Sequence, residues 1–281
     1  YETAYKIAKT QYNYDPSIPI YQQFFSYIGG LFSGNFGTSM TLRIPVSTII
    51  FNAIPWTIFL CSVSLLCSFT IGSIFGLIMS WKRKSKILEG IINLLAVITQ
   101  AVPDFLIGLI LLVIFAVRLR WFPLRGAYDM SIIPGFSFEF ISSIFYHATL
   151  PVLAFTISTM GGWALSMRAS ATGVMSEDYI NVAKAKGLTE SRIFRRYLGK
   201  NAFIPILPGL AISFAYMISG SMFIEWMFSY PGIGYFFGYS IGNRDYTLLQ
   251  GILFLSTVTI VMINYLADFI YALIDPRVKL N

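Results

Sequence analysis

Four stretches of the chain, 44–81, 140–167, 201–224 and 246–267, contain no Asp, Glu, Lys or Arg. Each is longer than the roughly 20 residues with which an α-helix crosses a bilayer. The pattern predicts an all-α membrane protein, a polytopic helical bundle of about five spans. The first span is expected over 55–81, with Pro55 near the helix start and Gly72 and Gly76 four residues apart, where another helix can approach closely. A second lies within 87–117, long for one crossing and broken at "VPD" (102–104) by Pro103. The third, fourth and fifth are expected over 147–169, 203–226 and 247–273. The stretch 118–146 mixes Arg, Asp and Glu with Pro and Gly and reads as a loop with room for a short helix. Residues 1–54 carry turn chemistry in "YDPSIP" and "GGLFSGNFG" and no long apolar run, as befits an aqueous segment leading into the membrane.

One polar stretch stands apart. "EDYINVAKAKGLTESRIFRRYLGK" (177–200) holds nine charged residues between two segments that are almost free of charge. Its periodicity is helical. Ser176 can cap, Glu177 and Asp178 complement a helix N-terminus, and Tyr179, Val182 and Ala183 recur on one side. Gly187 suits a left-handed C-terminal cap. A second helix can start at Thr189, with Ile193, Phe194, Tyr197 and Leu198 on one side and Arg192, Arg195, Arg196 and Lys200 mostly on the other. The second helix alone would suit a leaflet of acidic lipid. The helix-Gly-helix unit as a whole is better explained as a docking surface, because two adjacent spans need no connection of this length.

Composition agrees with the pattern: 56% of the 281 residues are hydrophobic and 12% charged, against about 25% charged in an ordinary soluble domain. The net charge of +7 does not point to nucleic acid, because the basic residues sit beside apolar runs and form no aromatic-interleaved basic domain. Their distribution sets orientation instead. Thirteen of the 20 Lys and Arg fall in 82–86, 168–200 and the tail, and seven (Lys6, Lys9, Arg43, Arg118, Arg120, Arg125, Arg244) fall on the opposite side. The richer side is expected to be cytoplasmic, which puts 1–54 outside and 177–200 inside. Cys61 and Cys67 lie six apart in the first span, on different faces, and read as packing residues. The chain opens at Tyr1 with neither an initiator Met nor a basic-then-apolar leader, so a preceding segment is expected.

With these elements in place, "EDYINVAKAKGLTESRIFRRYLGKNAFIPILP" resembles the cytoplasmic EAA loop of ABC importer permeases, in the form found in the dipeptide and oligopeptide branch. "LFSGNFGTSM" (31–40), "IEWMFSYPGIG" (224–234), "NRDYTLLQG" (243–251) and "NYLADFIYALIDPRVKL" (264–280) extend the resemblance over essentially the whole chain. It implies a type I importer-like fold, with one more helix before this chain and six spans in the complete protein. The implied division is an extracytoplasmic segment 1–54, a permease domain 55–274 that contains a coupling loop 171–202, and a cytoplasmic tail 275–281. Two departures matter. "YLGK" (197–200) stands where the general motif has Ile-x-Leu-Pro, with the prolines later, at Pro205 and Pro208; the peptide branch departs similarly. Asp104 stands where a small polar residue is expected in an "LPSFW"-like motif.

The resemblance implies an inner-membrane permease subunit of an ATP-driven, binding-protein-dependent importer, forming half of a pathway for di- or oligopeptides; relatives also carry oligosaccharides, glutathione or metal chelates. Implied partners are a second related permease, two cytoplasmic ATPases that bind ATP and Mg, an extracytoplasmic solute-binding protein and the bilayer. Docking on the ATPase is assigned to Glu177, Asp178, Tyr179, Ala183, Lys184, Lys186, Gly187 and Leu188. Pro231, Gly232 and Gly234 are assigned to the external mouth. The chain has no cofactor of its own and no embedded enzyme. No G-x-x-x-x-G-K-[ST] phosphate loop occurs, Gly199-Lys200 being followed by Asn201, and the single His147 forms no metal cluster.

A stand-alone secondary transporter is the competing class, since Asp104, Glu225 and Asp268 are ionisable residues in or beside spans and Asn264 shares a helix face with Asp268. These four are therefore the candidate pathway residues under either reading. Such transporters commonly carry more spans and an internal repeat, and ion coupling gives the helix-Gly-helix loop no role.

Overall fold

The computed structural model describes residues 17–81 and 86–274, and among these there is no β-strand. The helices are α1 (Ile20–Phe32), α2 (Val46–Trp81), α3 (Lys86–Ala101), α4 (Asp104–Leu111, continued by a π-helical stretch Leu112–Arg118) and α5 (Phe138–Met175). They continue with α6 (Asp178–Ala185), α7 (Glu190–Ile206, an α-helical start with π and 3-10 turns), α8 (Pro208–Gly220), α9 (Met222–Met227), α10 (Ile233–Gly242) and α11 (Tyr246–Ile274). Three helices are long and apolar enough to cross a membrane alone, and α7 with α8 makes a fourth candidate bent by 46°. The all-α membrane bundle is therefore as its sequence predicts.

The core is the parallel pair α2 and α5. Gly72 faces the carbonyl of Met160 and the Cβ of Trp163, and one turn on Gly76 faces the carbonyl of Ala164 and the Cβ of Met167. A methyl group at either glycine would collide with this backbone, so the absence of a side chain sets the helix separation. Gly161 of α5 is equally close to Ala96 and Thr99, which brings α3 onto the other side of α5. Leu60, Leu150, Phe155, Met167 and Ile224 fill the space between these helices. A second core joins the start of the chain to its end, with Leu31, Phe36, Val46, Ile49 and Ile50 packed on Leu248 and Ile252 of α11.

Several boundaries differ from those expected. The first span begins at Val46, so Pro55 lies inside α2; the apolar face simply continues upstream through the buried Val46, Ile49, Ile50 and Ala53. The third begins at Phe138 and ends at Met175, with the Ser137 hydroxyl accepting from the Phe140 amide as its N-cap. The second is broken where predicted, Pro103 preceding α4 with an extended ψ of 141°. The fourth does not reach 226. Pro205 and Pro208 supply no amide donor, the chain bends between α7 and α8, and Glu225 sits in the separate helix α9. The "KRKSK" residues 82–85, the segment 1–16 and the tail from 275 lie outside the described residues.

Candidate functional site

Midway along α2 and α5 the bundle opens into a cavity of about 630 Å³. The break at Pro103 exposes its wall, because ending α3 at Ala101 and restarting at Asp104 puts Gln100 and Asp104 on the same opening. Ser158, Thr159, Trp163 and Ser166 of α5 and Ser213 and Tyr216 of α8 complete the polar and aromatic lining. Every donor with a partner here is turned to its own backbone: Ser158 Oγ and Thr159 Oγ1 donate to the Phe155 carbonyl at 2.9 and 2.7 Å, and Gln100 Nε2 donates to the Ala96 carbonyl at 3.2 Å. Asp104 accepts from the Phe105 amide at 2.7 Å through Oδ1. The cavity is thus offered the Ser158 and Thr159 oxygens and the Asp104 carboxylate as acceptors, beside Ser166, Ser213, Tyr216 and Trp163, which can also donate.

At the basic end of the bundle, α6 and α7 form a closed corner. The Leu188 amide donates to the Ala183 carbonyl and the Gly187 amide to the Lys184 carbonyl, a Schellman cap with Gly187 at φ +73°. Leu188 packs back on Ile180, Ala183 and Ile193, together with Trp81 and Val174 from the ends of α2 and α5. Burying Ile180 and Ile193 contributes about 1.5–3 kcal/mol each. This changes two expectations. Ala183 is 2% exposed and serves the corner's own packing, so its small side chain admits Ile193 and not a partner. The apolar face of α7 is likewise spent on the bundle, Phe194 meeting the Trp81 ring at 5.3 Å, which leaves no apolar face to lie on a leaflet. The face turned outward holds Tyr179 (38% exposed), Val182 (51%), Glu177, Asp178, Lys184 and Lys186. Ser176 does not cap α6; its hydroxyl donates to Gly173 at the end of α5.

Two brackets close the opposite end. Glu225 is wholly buried and accepts from the Gly234 amide at 2.7 Å, while Thr57 of α2 accepts from the Ile233 amide at 2.8 Å. A Cβ on Gly232 would strike the Glu225 carboxylate and Thr57. Glu225 thus does not line the cavity, and Gly232 and Gly234 are buried against the Glu225 carboxylate at the turn that Pro231 starts. The backbone places Asn264 and Asp268 on α11, but their side chains lie outside what the structure describes.

The second bracket has no counterpart among the predicted site residues. Asp245 is fully buried and accepts from Ser39 Oγ, from the Thr41 amide at 3.1 Å, from Thr41 Oγ1 at 2.7 Å and from the Leu248 amide at 3.1 Å. Burial alone pushes its carboxyl up, but the hydrogen bonds from Ser39, Thr41 and Leu248 outweigh that and hold it below the usual carboxylate range. The signal was present as an Asp immediately before an apolar helix, an N-cap pattern, and as the polar Ser39 and Thr41 far upstream.

A family model described as "Binding-protein-dependent transport system inner membrane component" matches residues 72–280. Among curated relatives, a probable peptide ABC transporter permease protein, y4tP, of Sinorhizobium fredii is 34% identical over 261 residues, covering 93% of this chain and 81% of that protein. The oligopeptide transport system permease protein AppB of Bacillus subtilis is 32% identical over 262 residues, with coverage of 93% and 81%. The glutathione transport system permease protein GsiC of Escherichia coli is 30% identical over 262 residues, with coverage of 93% and 80%. Among solved structures, the inward-facing MetNI methionine ABC transporter shares the fold with a TM-score of 0.61 at 16% identity, covering 81% of this chain and 96% of that one.

Proposed function

The chain belongs to the binding-protein-dependent transport system inner membrane component family, and we propose that it is the permease subunit of an ATP-driven importer of di- or oligopeptides. The cavity of about 630 Å³ at mid-bundle carries this reading. A pocket lined by hydroxyls, an amide and a carboxylate at the depth of a bilayer core has no structural use in a lipid-facing bundle and suits a hydrated solute in transit. Its open side faces a second related permease, which supplies the other half of the pathway. The named relatives handle peptides, oligopeptides and glutathione, and this supports a peptide-like cargo.

The basic end is cytoplasmic in this reading, and the outward face of α6 seats on an ATPase subunit that binds ATP and Mg. Because α7 runs into α8 through one bend, a push on the α6–α7 corner reaches the cavity wall at Ser213 and Tyr216. The turn over Gly232 and Gly234 faces the solute-binding protein outside. The test is to purify the complex and reconstitute it with its binding protein. Val182→Arg, on the outward face, should abolish ATPase co-purification or ATP-driven peptide uptake while the chain still inserts. Uptake that survives ATPase inactivation and collapses with the ion gradient would point to a secondary transporter instead.

A further inference from the structure

The cavity has a marked chemical bias. Among the described residues Asp104 is the one acidic group in its lining, and no Lys, Arg or His joins it. The carboxylate uses Oδ1 on its own helix, at the Phe105 amide, which leaves Oδ2 for another donor. The neighbouring polar groups point the same way. Ser158 and Thr159 have placed their hydroxyl hydrogens on the Phe155 carbonyl, so their oxygens are left as acceptors, and Gln100 adds its Oε1 as a further acceptor. Trp163 and Tyr216 add aromatic rings to the same lining. Acceptors, one negative charge and aromatic faces are together complementary to an ammonium or guanidinium group, which brings only donors and a positive charge.

Resting on the peptide-import reading above, we propose that this cavity selects for solutes carrying a positive charge, a free α-ammonium or a basic side chain, with Asp104 as the recognising group. A carboxylate at this depth is costly unless it meets water or a cation, and a passing cationic solute supplies that partner intermittently. Anionic and N-blocked peptides meet the same wall without compensation. The preference is carried by this permease and adds to whatever its binding protein selects.

The experiment uses the complete transporter, with second permease, ATPases and binding protein, in proteoliposomes. Initial uptake is measured for trialanine, N-acetyl-trialanine, Ala-Lys-Ala and Ala-Glu-Ala with wild type, Asp104→Asn, Asp104→Ser and Asp104→Glu. Since the binding protein is the same throughout, its own preference cancels when variants are compared with wild type. The expected result is that Asn and Ser lower the uptake of free-amine and Lys peptides by about tenfold relative to the acetylated and Glu peptides, while Glu restores the preference. An unchanged ratio overturns the proposal. So does an equal loss for all four peptides, which would assign Asp104 to a gate or a proton, and so does loss of the second permease on purification, which would assign it to an interchain ion pair. A wild-type transporter that imports none of the four overturns the peptide reading itself and this inference with it.

Discussion

Replacing Asp245 by Ala removes the acceptor for Ser39 Oγ, Thr41 Oγ1 and the Thr41 and Leu248 amides at one stroke. Hydrogen bonds to a charged acceptor are worth about 1.5–3 kcal/mol each, but they share one desolvation cost and are not additive. Losing the cap on α11 alone costs about 1 kcal/mol, and leaving the buried Ser39 donor unpaired adds about 1–3 kcal/mol. The net destabilisation expected is about 3 kcal/mol, or a fall of roughly 6–12 °C in unfolding temperature. Asp245→Asn should lose about half as much, since its carbonyl still accepts from Leu248. The assay is thermal unfolding of the detergent-purified protein, with amide hydrogen exchange to localise the effect to residues 39–42 and the first turn of α11. Titration gives an independent check with a defined sign. Because the folded carboxyl lies below its usual range, its contribution is complete above the unfolded pKa of about 3.9 and fades as pH falls through the lower folded value. Wild type should therefore lose its margin over Asp245→Ala on acidification below about pH 4. An unfolding temperature within about 1 °C of wild type, with exchange at 39–42 unchanged, would show that the bracket contributes nothing.

Gly187 separates conformation from contact. Its φ of +73° is strained for other residues, yet no atom lies within 4 Å of a Cβ built there, so Gly187→Ala should cost about 1 kcal/mol and keep ATPase co-purification. Gly187→Pro cannot adopt that φ and should lose it; identical behaviour of the two variants would refute the role given to the left-handed cap. Gly232→Ala should cost about 1–3 kcal/mol in unfolding assays and reduce solute-stimulated ATPase activity, because its methyl meets Glu225 and Thr57. Gly242→Ala, with open space around it, is the control and should change neither.

The long apolar helices α2, α5 and α11, the break at Pro103, the glycine contact of Gly72 and Gly76 and the corner at Gly187 were legible in the sequence, because each depends on local chemistry: absence of charge, a missing amide, a missing side chain or a left-handed φ. The inward turn of Ala183 was not legible. Periodicity puts Ala183 on the side of Tyr179 and Val182, whereas the corner buries it with Ile180 against Ile193, a choice made by the ends of α2 and α5. The same limit applies to Glu225. An acid beside an apolar run reads as a pathway group until the turn at 230–234 folds over it and offers the Gly234 amide. Asp104 was recognisable as an odd residue, but its meeting with Ser158, Thr159, Trp163 and Tyr216 on one cavity needed the packing of α5 and α8 that only the fold fixes.

The Asp245 bracket has a consequence for the order of synthesis. It joins Ser39 to a residue 206 positions later. A ribosome adding roughly 5–20 residues per second needs on the order of 10–40 s to cover that distance. Throughout that interval the 39–41 turn is already made but has no carboxylate to fold onto. The turn that precedes α2 is thus fastened only once α11 begins, and a chain interrupted before Asp245 is released with that turn open, where proteases that police unfinished membrane proteins can find it.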